Sequence, residues 1–319
     1  MRPCCANVSS KYPVFFSIAP LCYFLLFGVK SKSVLHESHL VNPLDQWPHR
    51  ARLRITGVLT DVDDTLTTDG TITAEALDAI AALQSEGLPV IPVTGRPVGW
   101  SEPFAATWPV DAIVAENGAV ALLPCGGDEN PIGLQRDTDK REHLSKLYQQ
   151  DANTRAANFA RMQQVLAQIE REVPGARRAT DSSGRETDIA IDHSEFTQLP
   201  QEAIDHAVCI MRAAGMNATV SSIHINGWFG THNKLEGARW IVRELFGRDL
   251  DAEIDRWVYV GDSTNDQLMF QHFPHSVGVA NIARFVPQLA HLPRYVTHGE
   301  RGAGFAEVAR AILSERERG

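Results

Sequence analysis

The chain has 319 residues, enough for two modest domains or one large one, with an ordinary apolar share of 44%. A formal net charge of −9 argues against a nucleic-acid partner, which would need a basic face to release counterions; an anionic substrate must be held by local positive charge or by a metal. The five cysteines, Cys4, Cys5, Cys22, Cys125 and Cys209, form no CxxC pair and no zinc-like spacing, a pattern expected of reduced thiols in a cytoplasmic protein.

Residues 1–50 differ from the rest. The run YPVFFSIAPLCYFLLFGVK (Tyr12–Lys30) is nearly uncharged and about as long as the shortest membrane spans. Pro13 and Pro20 weaken it as a helix, and no small-residue cleavage site follows it. Lys30, Lys32, Arg50, Arg52 and Arg54 all lie C-terminal to it, so an inserted run would keep the catalytic part on the cytoplasmic side. An anchor, a cleaved signal and a spurious or disordered leader with the true start nearer Leu53 are the open readings. Membrane contact is expected only under the first, and all leave residues 51–319 as the working part.

From Leu53 onward, short β-branched runs alternate with helical segments. Ile55–Thr60 predicts a buried strand, and Ala74–Glu86 has apolar residues at helical spacing before Gly87, a C-cap. LPVIPVTG and DAIVAENG read as strands around a short helix; WVYVGD and SVGVAN follow later, and GFAEVARAILSERERG is an amphipathic helix. This alternation implies an α/β fold, a doubly wound parallel sheet with ligands beyond the carboxyl ends of its strands. Between Leu122 and Gly230 the rhythm breaks. A polar stretch (Gly126–Lys146), two helix candidates (Asn153–Glu172, Gln201–Ala214) and the strands ETDIAID and NATVSSIHI predict an inserted α+β domain. Its strands alternate apolar with polar residues, as half-exposed antiparallel strands do. The expected division is leader 1–50, core 51–121, cap 122–230 and core 231–319.

Four polar clusters sit at predicted strand ends or at a helix start. Asp61-Val62-Asp63 follows the strand interior GVL directly, where carboxylates repel and lose hydration. Thr94 and Gly95 in VTGRP offer a hydroxyl and a backbone N–H to an anion. Lys234 in FGTHNKLEGARW opens a helix candidate. In VYVGDSTNDQLMF a second strand ends in Asp262 and Asp266, with Asn265 between. Two strands that both end in carboxylates fit a shared hard divalent cation, since Mg²⁺ takes oxygen ligands and keeps waters for a phosphate. Taken singly, a turn aspartate, a turn threonine and a solvated lysine would explain most of these.

In this order the clusters resemble the four motifs of the haloacid dehalogenase superfamily: DxDxT at Asp61 to Thr65, a motif-two Thr94, a motif-three Lys234, and GDxxxD from Gly261 to Asp266. The resemblance covers residues 53–319 and extends to AENGA, GVAN and GERGAGFAEV. The insert between the second and third motifs is similar to C2-type caps, the branch of Cof-like, sucrose-phosphate and mannosyl-phosphoglycerate phosphatases. The resemblance implies that Asp61 is a nucleophile forming an aspartyl-phosphate and that Asp63 protonates the leaving alkoxide and then activates water. It implies Mg²⁺ held by Asp61, the Asp63 main-chain carbonyl and Asp262, with Asp266 and Asn265 beside them. Thr94, Gly95 and Lys234 would hold phosphoryl oxygens. Asp64 stands where many members have Gly and is read as filling a turn. Substrate contacts are expected from the cap residues Arg185, His224 and Asn226, and Arg96 would either reach the substrate or pair with a core carboxylate. Glu186 and Asp188 are further candidates, and Trp228 would either stack on a sugar or pack in the hinge. The expected activity is Mg²⁺-dependent hydrolysis of a small phosphorylated metabolite, a sugar phosphate or a phosphoglycerate- or phosphoglycolate-type ester. The alternatives are phosphomutase-type transfer and a non-catalytic phosphosugar-binding protein.

Overall fold

The computed structural model describes residues 41–124 and 144–316. The apolar run Tyr12–Lys30, Cys4, Cys5, Cys22, Cys125 and most of the polar stretch Gly126–Lys146 lie outside the described residues. Among the described residues no helix is long and apolar enough to cross a membrane.

The central sheet begins with β1 (Asn42–Pro43) and, after a helical turn α1 (His49–Arg52), β2 (Gly57–Thr60). A hairpin of β3 (Thr67–Thr68) and β4 (Thr71–Ile72) follows, closed by Asp69 and Gly70, both at positive φ, the two-residue turn that matches strand twist. Then come α2 (Ala74–Ser85), β5 (Val90–Pro92), α3 (Val98–Thr107), β6 (Ile113–Ala115), β7 (Val120–Pro124) and β8 (Leu144–Tyr148). The second half of the sheet comes from residues after 230, beyond an insert that holds β9–β12, α4 and α5: α6 (Lys234–Phe246), β13 (Trp257–Gly261), α7 (Gln267–His272), β14 (Ser276–Gly278), β15 (Tyr295–Val296) and α8 (Arg301–Arg316).

The sheet runs β1-β15-β14-β13-β2-β5, all parallel. Alternate residues of each strand face opposite layers. Val58 and Val260 pack with Ile80, Leu83, Phe305 and Ile312 of α2 and α8. Leu59 and Tyr259 pack with Leu235, Ile241 and Met269 of α6 and α7. Both faces are covered, which is why these strands read as unbroken apolar runs.

Two expected boundaries move. Asn42–Pro43 pairs with Tyr295–Val296 as the edge of the core sheet, and Trp47 is 1% exposed, its Nε1 donating to His275 Nδ1 at 3.2 Å. Residues 41–50 therefore belong to the core and not to a leader. Trp47→Ala is expected to cost about 3–5 kcal/mol of stability, seen as a lower denaturant midpoint. The cap does not begin at Leu122 either. β7 pairs antiparallel with both β6 and β8, and β6 joins β5 by a parallel bridge from Val114 to Val93. This antiparallel extension carries the core to Tyr148.

The insert proper holds α4 (Ala152–Glu172), β9 (Arg177–Arg178), β10 (Ile189–Asp192), α5 (Gln201–Ala213), β11 (Asn217–Val220) and β12 (His224–Trp228). Its four-stranded antiparallel sheet, β11-β12-β10-β9, packs Ile189, Ile191 and Ile225 against Met162, Leu166, Ala207 and Met211 of α4 and α5. The alternating polar residues were expected to meet solvent. Instead β10 and β12 are buried throughout: Asn226 donates to the Gly95 carbonyl of the core, His224 holds Glu195, and Asp192 accepts the N–H groups of Glu195 and Phe196. Close backbone contact helps: a Cβ on Gly99 of α3 would stand 2.9 Å from Gly184 Cα of the cap, so only glycine permits the approach.

Candidate active site

β2 ends at Thr60 and passes Asp61 and Asp63 to the loop at its carboxyl end. β13 runs parallel beside it, Val260 opposite Thr60, which sets Asp262 next to Asp61. The third part comes from α6. Asn233 Oδ1 accepts the N–H groups of Leu235 at 2.9 Å and Glu236 at 3.0 Å, the cap that makes Lys234 the first helical residue. Lys234 Nζ then donates to Asp61 Oδ1 and Asp266 Oδ1, both at 2.7 Å, and all three side chains are buried.

The carboxylates of Asp61, Asp262 and Asp266 can bring oxygens within 4.8 Å of one another. Their surroundings separate their roles. Asp266 accepts from Lys234 and the Tyr259 hydroxyl at Oδ1, and from the N–H groups of Asp262 (2.9 Å) and Ser263 (3.1 Å) at Oδ2. Four donors fill the roughly four lone-pair positions of a carboxylate. Asp266, expected beside the metal, orients Lys234 and the Asp262 backbone. Gly261 makes room for this, since a Cβ there would lie 2.5 Å from Asp266 Oδ2. Asp262 is different. Its Oδ2 accepts from Asn281 Nδ2 at 3.0 Å and Arg284 Nη2 at 3.2 Å, while its Oδ1 is buried with no hydrogen-bond partner among the described residues. An orphaned buried carboxylate oxygen beside a second carboxylate fits a hard cation.

Burial raises the Asp61 carboxyl from 3.8 to about 7; Lys234 opposes the rise, and Asp266 and Asp63 add to it. Asp262 is pushed well above its ordinary value by burial and then by Asp61, Asp266 and Asp64. Burial would lower Lys234, but Asp266 and Asp61 outweigh it and hold the amine charged. A carboxyl raised in the folded state stabilises the fold below its unfolded value and loses that contribution as pH rises through the folded one. Without a divalent cation, Asp61 therefore weakens the fold between about pH 4 and 7. The rise in melting temperature on adding Mg²⁺ is expected to grow across that window; a rise that is flat or falls with pH would contradict the site.

The loop after β5 supplies Thr94, Gly95 and Arg96. Buried Thr94 accepts the Arg96 N–H at its Oγ1, 3.0 Å, leaving its hydroxyl proton to donate. Asn265 accepts from Ser263 Oγ at 2.8 Å and lines a small cleft with Asp61, Asp63 and Gly95. His224 and Asn226 line the same cleft from the cap. Arg96 pairs with Asp63 through Nε at 2.9 and 3.1 Å, so the Asp63 side chain is engaged with arginine and not with the Asp61–Asp262 pair.

Arg185, expected to touch substrate, ties the cap to the core instead. It pairs with Asp188 at 2.7 Å and donates to the Gly95 carbonyl at 3.1 Å. Glu186 pairs with Lys146 and Tyr148 of β8. Trp228 packs in the hinge, its Nε1 donating to the His232 carbonyl at 2.8 Å. Asp64 does sit at positive φ, 55°, but it also binds Arg284 at 2.7 Å. Sequence reasoning missed Tyr259, Asn281, Arg284 and Glu116. Asn281 lies in GVAN and Glu116 in AENGA, segments noted without a role. Glu116 is buried and accepts the N–H groups of Val98 (3.0 Å) and Glu186 (2.9 Å), latching the cap; burial raises its carboxyl, against hydrogen bonds from Thr187 and Val98.

Residues 58–170 match the family model of haloacid dehalogenase-like hydrolases. No curated protein matches the sequence. Among solved structures, a HAD/Cof-like hydrolase from Plasmodium vivax is 16% identical with a TM-score of 0.58, over 84% of this chain and 99% of that one. The sucrose-phosphatase of Synechocystis, solved with sucrose and phosphate, is 15% identical with a TM-score of 0.55, over 81% and 97%. A HAD subclass IIB sugar phosphatase is 14% identical with a TM-score of 0.52, over 82% and 99%. The family match spans Asp61, Asp63, Thr94 and Arg96, and the chain shares the fold of these solved structures over both core and insert.

Proposed function

We propose that the protein is a Mg²⁺-dependent phosphatase acting on a small, hydroxyl-rich phosphate monoester such as a sugar phosphate. The observation that carries this reading is the buried set in which Lys234 bridges Asp61 and Asp266 while Asp262 keeps one oxygen without a donor. Asp61 attacks phosphorus; the P–O(Asp61) bond forms, the ester P–O bond breaks, and the leaving oxygen takes a proton from Asp63. Asp63 then takes a proton from the water that cleaves the aspartyl-phosphate. Lys234, Thr94 and the Gly95 N–H hold the phosphoryl oxygens as charge redistributes. Asp61, Asp262 and the Asp63 main-chain carbonyl would hold Mg²⁺, which supplies positive charge to a centre with more carboxylates than cations.

The charges around the cleft support an uncharged leaving group over a glycerate or glycolate. Arg96 is matched by Asp63, Asp181 and Glu195, and Arg185 by Asp181 and Asp188. Among the described residues no unmatched arginine is left there for a second anion. Ser221, Ser222, Asn226 and Asn265 line the cleft and suit hydroxyls. The Synechocystis relative, a sucrose-phosphatase, accords with this reading. A panel of sugar, polyol and organic-acid phosphates, assayed with Mg²⁺ and with EDTA, tests it. Sugar phosphates are expected to turn over only with Mg²⁺. Turnover in EDTA would refute the metal, and a preference for phosphoglycerate would refute the substrate class.

A further inference from the structure

We infer that Arg96 is a positioning residue that transmits closure of the cap to Asp63. The inference rests on the phosphatase reading and adds how the proton-transfer group is aimed.

The Arg96 backbone belongs to the core. Its N–H donates to Thr94 Oγ1, and its carbonyl accepts the Glu116 N–H at 3.0 Å. Its side chain is 6% exposed and reaches across to the cap. Nη1 lies 3.3 Å from Asp181 and Nη2 2.9 Å from Glu195, carboxylates on two separate cap loops. Glu195 is held in turn by His224 Nε2 at 2.8 Å, and burial of Glu195 is outweighed by His224 and Arg96, which bring it down to about 2. The remaining nitrogen, Nε, meets both oxygens of Asp63. Among the described residues no other donor reaches that carboxylate.

A guanidinium is planar and rigid, so fixing two of its nitrogens fixes the third. With the cap closed, Asp181 and Glu195 orient Arg96, and Arg96 orients Asp63. The shared N–H leaves a lone pair on each Asp63 oxygen for the transferred proton. With the cap swung away, both outer nitrogens lose their partners and the aim of Asp63 is lost with them. The other cap ties, such as Arg185 to Gly95 and Lys146 to Glu186, touch neither Asp61 nor Asp63. They hold the cap without aiming the acid.

Phenyl phosphate and p-nitrophenyl phosphate have nearly the same shape but differ in how far the departing oxygen needs a proton. The test compares kcat for both, with Mg²⁺, in wild type, Glu195→Gln, Arg96→Lys and Glu186→Gln. Glu195→Gln and Arg96→Lys are each expected to lose about ten-fold more activity on phenyl than on p-nitrophenyl phosphate, a fraction of a full acid–base contribution. Glu186→Gln, which loosens the cap without touching Arg96, is expected to keep the wild-type ratio. The ratio is read within one preparation, so partial unfolding of a variant does not change it. An unchanged ratio in Glu195→Gln, or an equal shift in Glu186→Gln, overturns the inference. So does a wild type that cleaves only the nitrophenyl ester, since no proton is then delivered. A wild type that cleaves neither ester refutes the phosphatase reading itself.

Discussion

Asp61→Asn is expected to give a folded protein whose Mg²⁺-dependent turnover of any phosphate ester falls by roughly 10⁴-fold or more, as when the nucleophile of a covalent hydrolase is removed. The amide matches the carboxylate in shape but cannot attack phosphorus. The fold is expected to survive because the substitution leaves the Lys234–Asp266 bond at 2.7 Å intact. It also removes one member of a buried group in which Asp61, Asp262 and Asp266 lie close together. Stability without a divalent cation should therefore hold or rise, while the stabilisation produced by Mg²⁺ should shrink. Steady-state kinetics and thermal melts with and without Mg²⁺ check both halves. Retained turnover would place the nucleophile elsewhere; a protein that unfolds would show that the carboxylate carries structure.

Lys234→Met has the second large effect, and it falls on stability as well as activity. Lys234 is 3% exposed and bridges two buried carboxylates. Methionine keeps much of the stem's volume and removes the charge. Breaking a buried pair from one side typically costs about 3–5 kcal/mol, because the partners are left charged without compensation. The penalty should ease at acid pH, where Asp61, already raised to about 7 by burial, takes up a proton. Urea titrations at acid and neutral pH measure this directly. Adding Asp266→Asn to Lys234→Met should recover part of the stability and none of the activity, because the phosphoryl group still lacks its amine. A full return of activity in the double variant would remove Lys234 from the chemistry.

The core and its catalytic loops were legible because they depend on local pattern. Apolar runs buried on both faces marked β2, β5 and β13, and the acids after them stood out because a strand end is a costly place for charge. The helix from Ala74 followed from periodicity with a turn glycine at Gly87, and helices were expected near Ala152, Gln201 and Lys234 as well. The edges were not legible. Asn42–Pro43 is too short to show a period, and β8 resembles a polar linker until β7 pairs with it. The alternating polar residues of β10 and β12 carry the same pattern whether they meet water or another domain.

Sequence alone therefore determined the doubly wound core, the order of the four polar clusters and the presence of an inserted cap, since each rests on spacing along the chain. Tertiary structure decided how the acids divide their work. Asp266 is saturated by Lys234, Tyr259 and two backbone N–H groups, Asp262 keeps an oxygen without a donor, and Asp63 is gripped by an arginine whose other partners lie on the cap. A carboxylate's role follows from which donors reach it, and those donors come from segments as far apart in the chain as residues 61 and 234. Spacing along the chain does not encode that proximity; packing of the folded chain does.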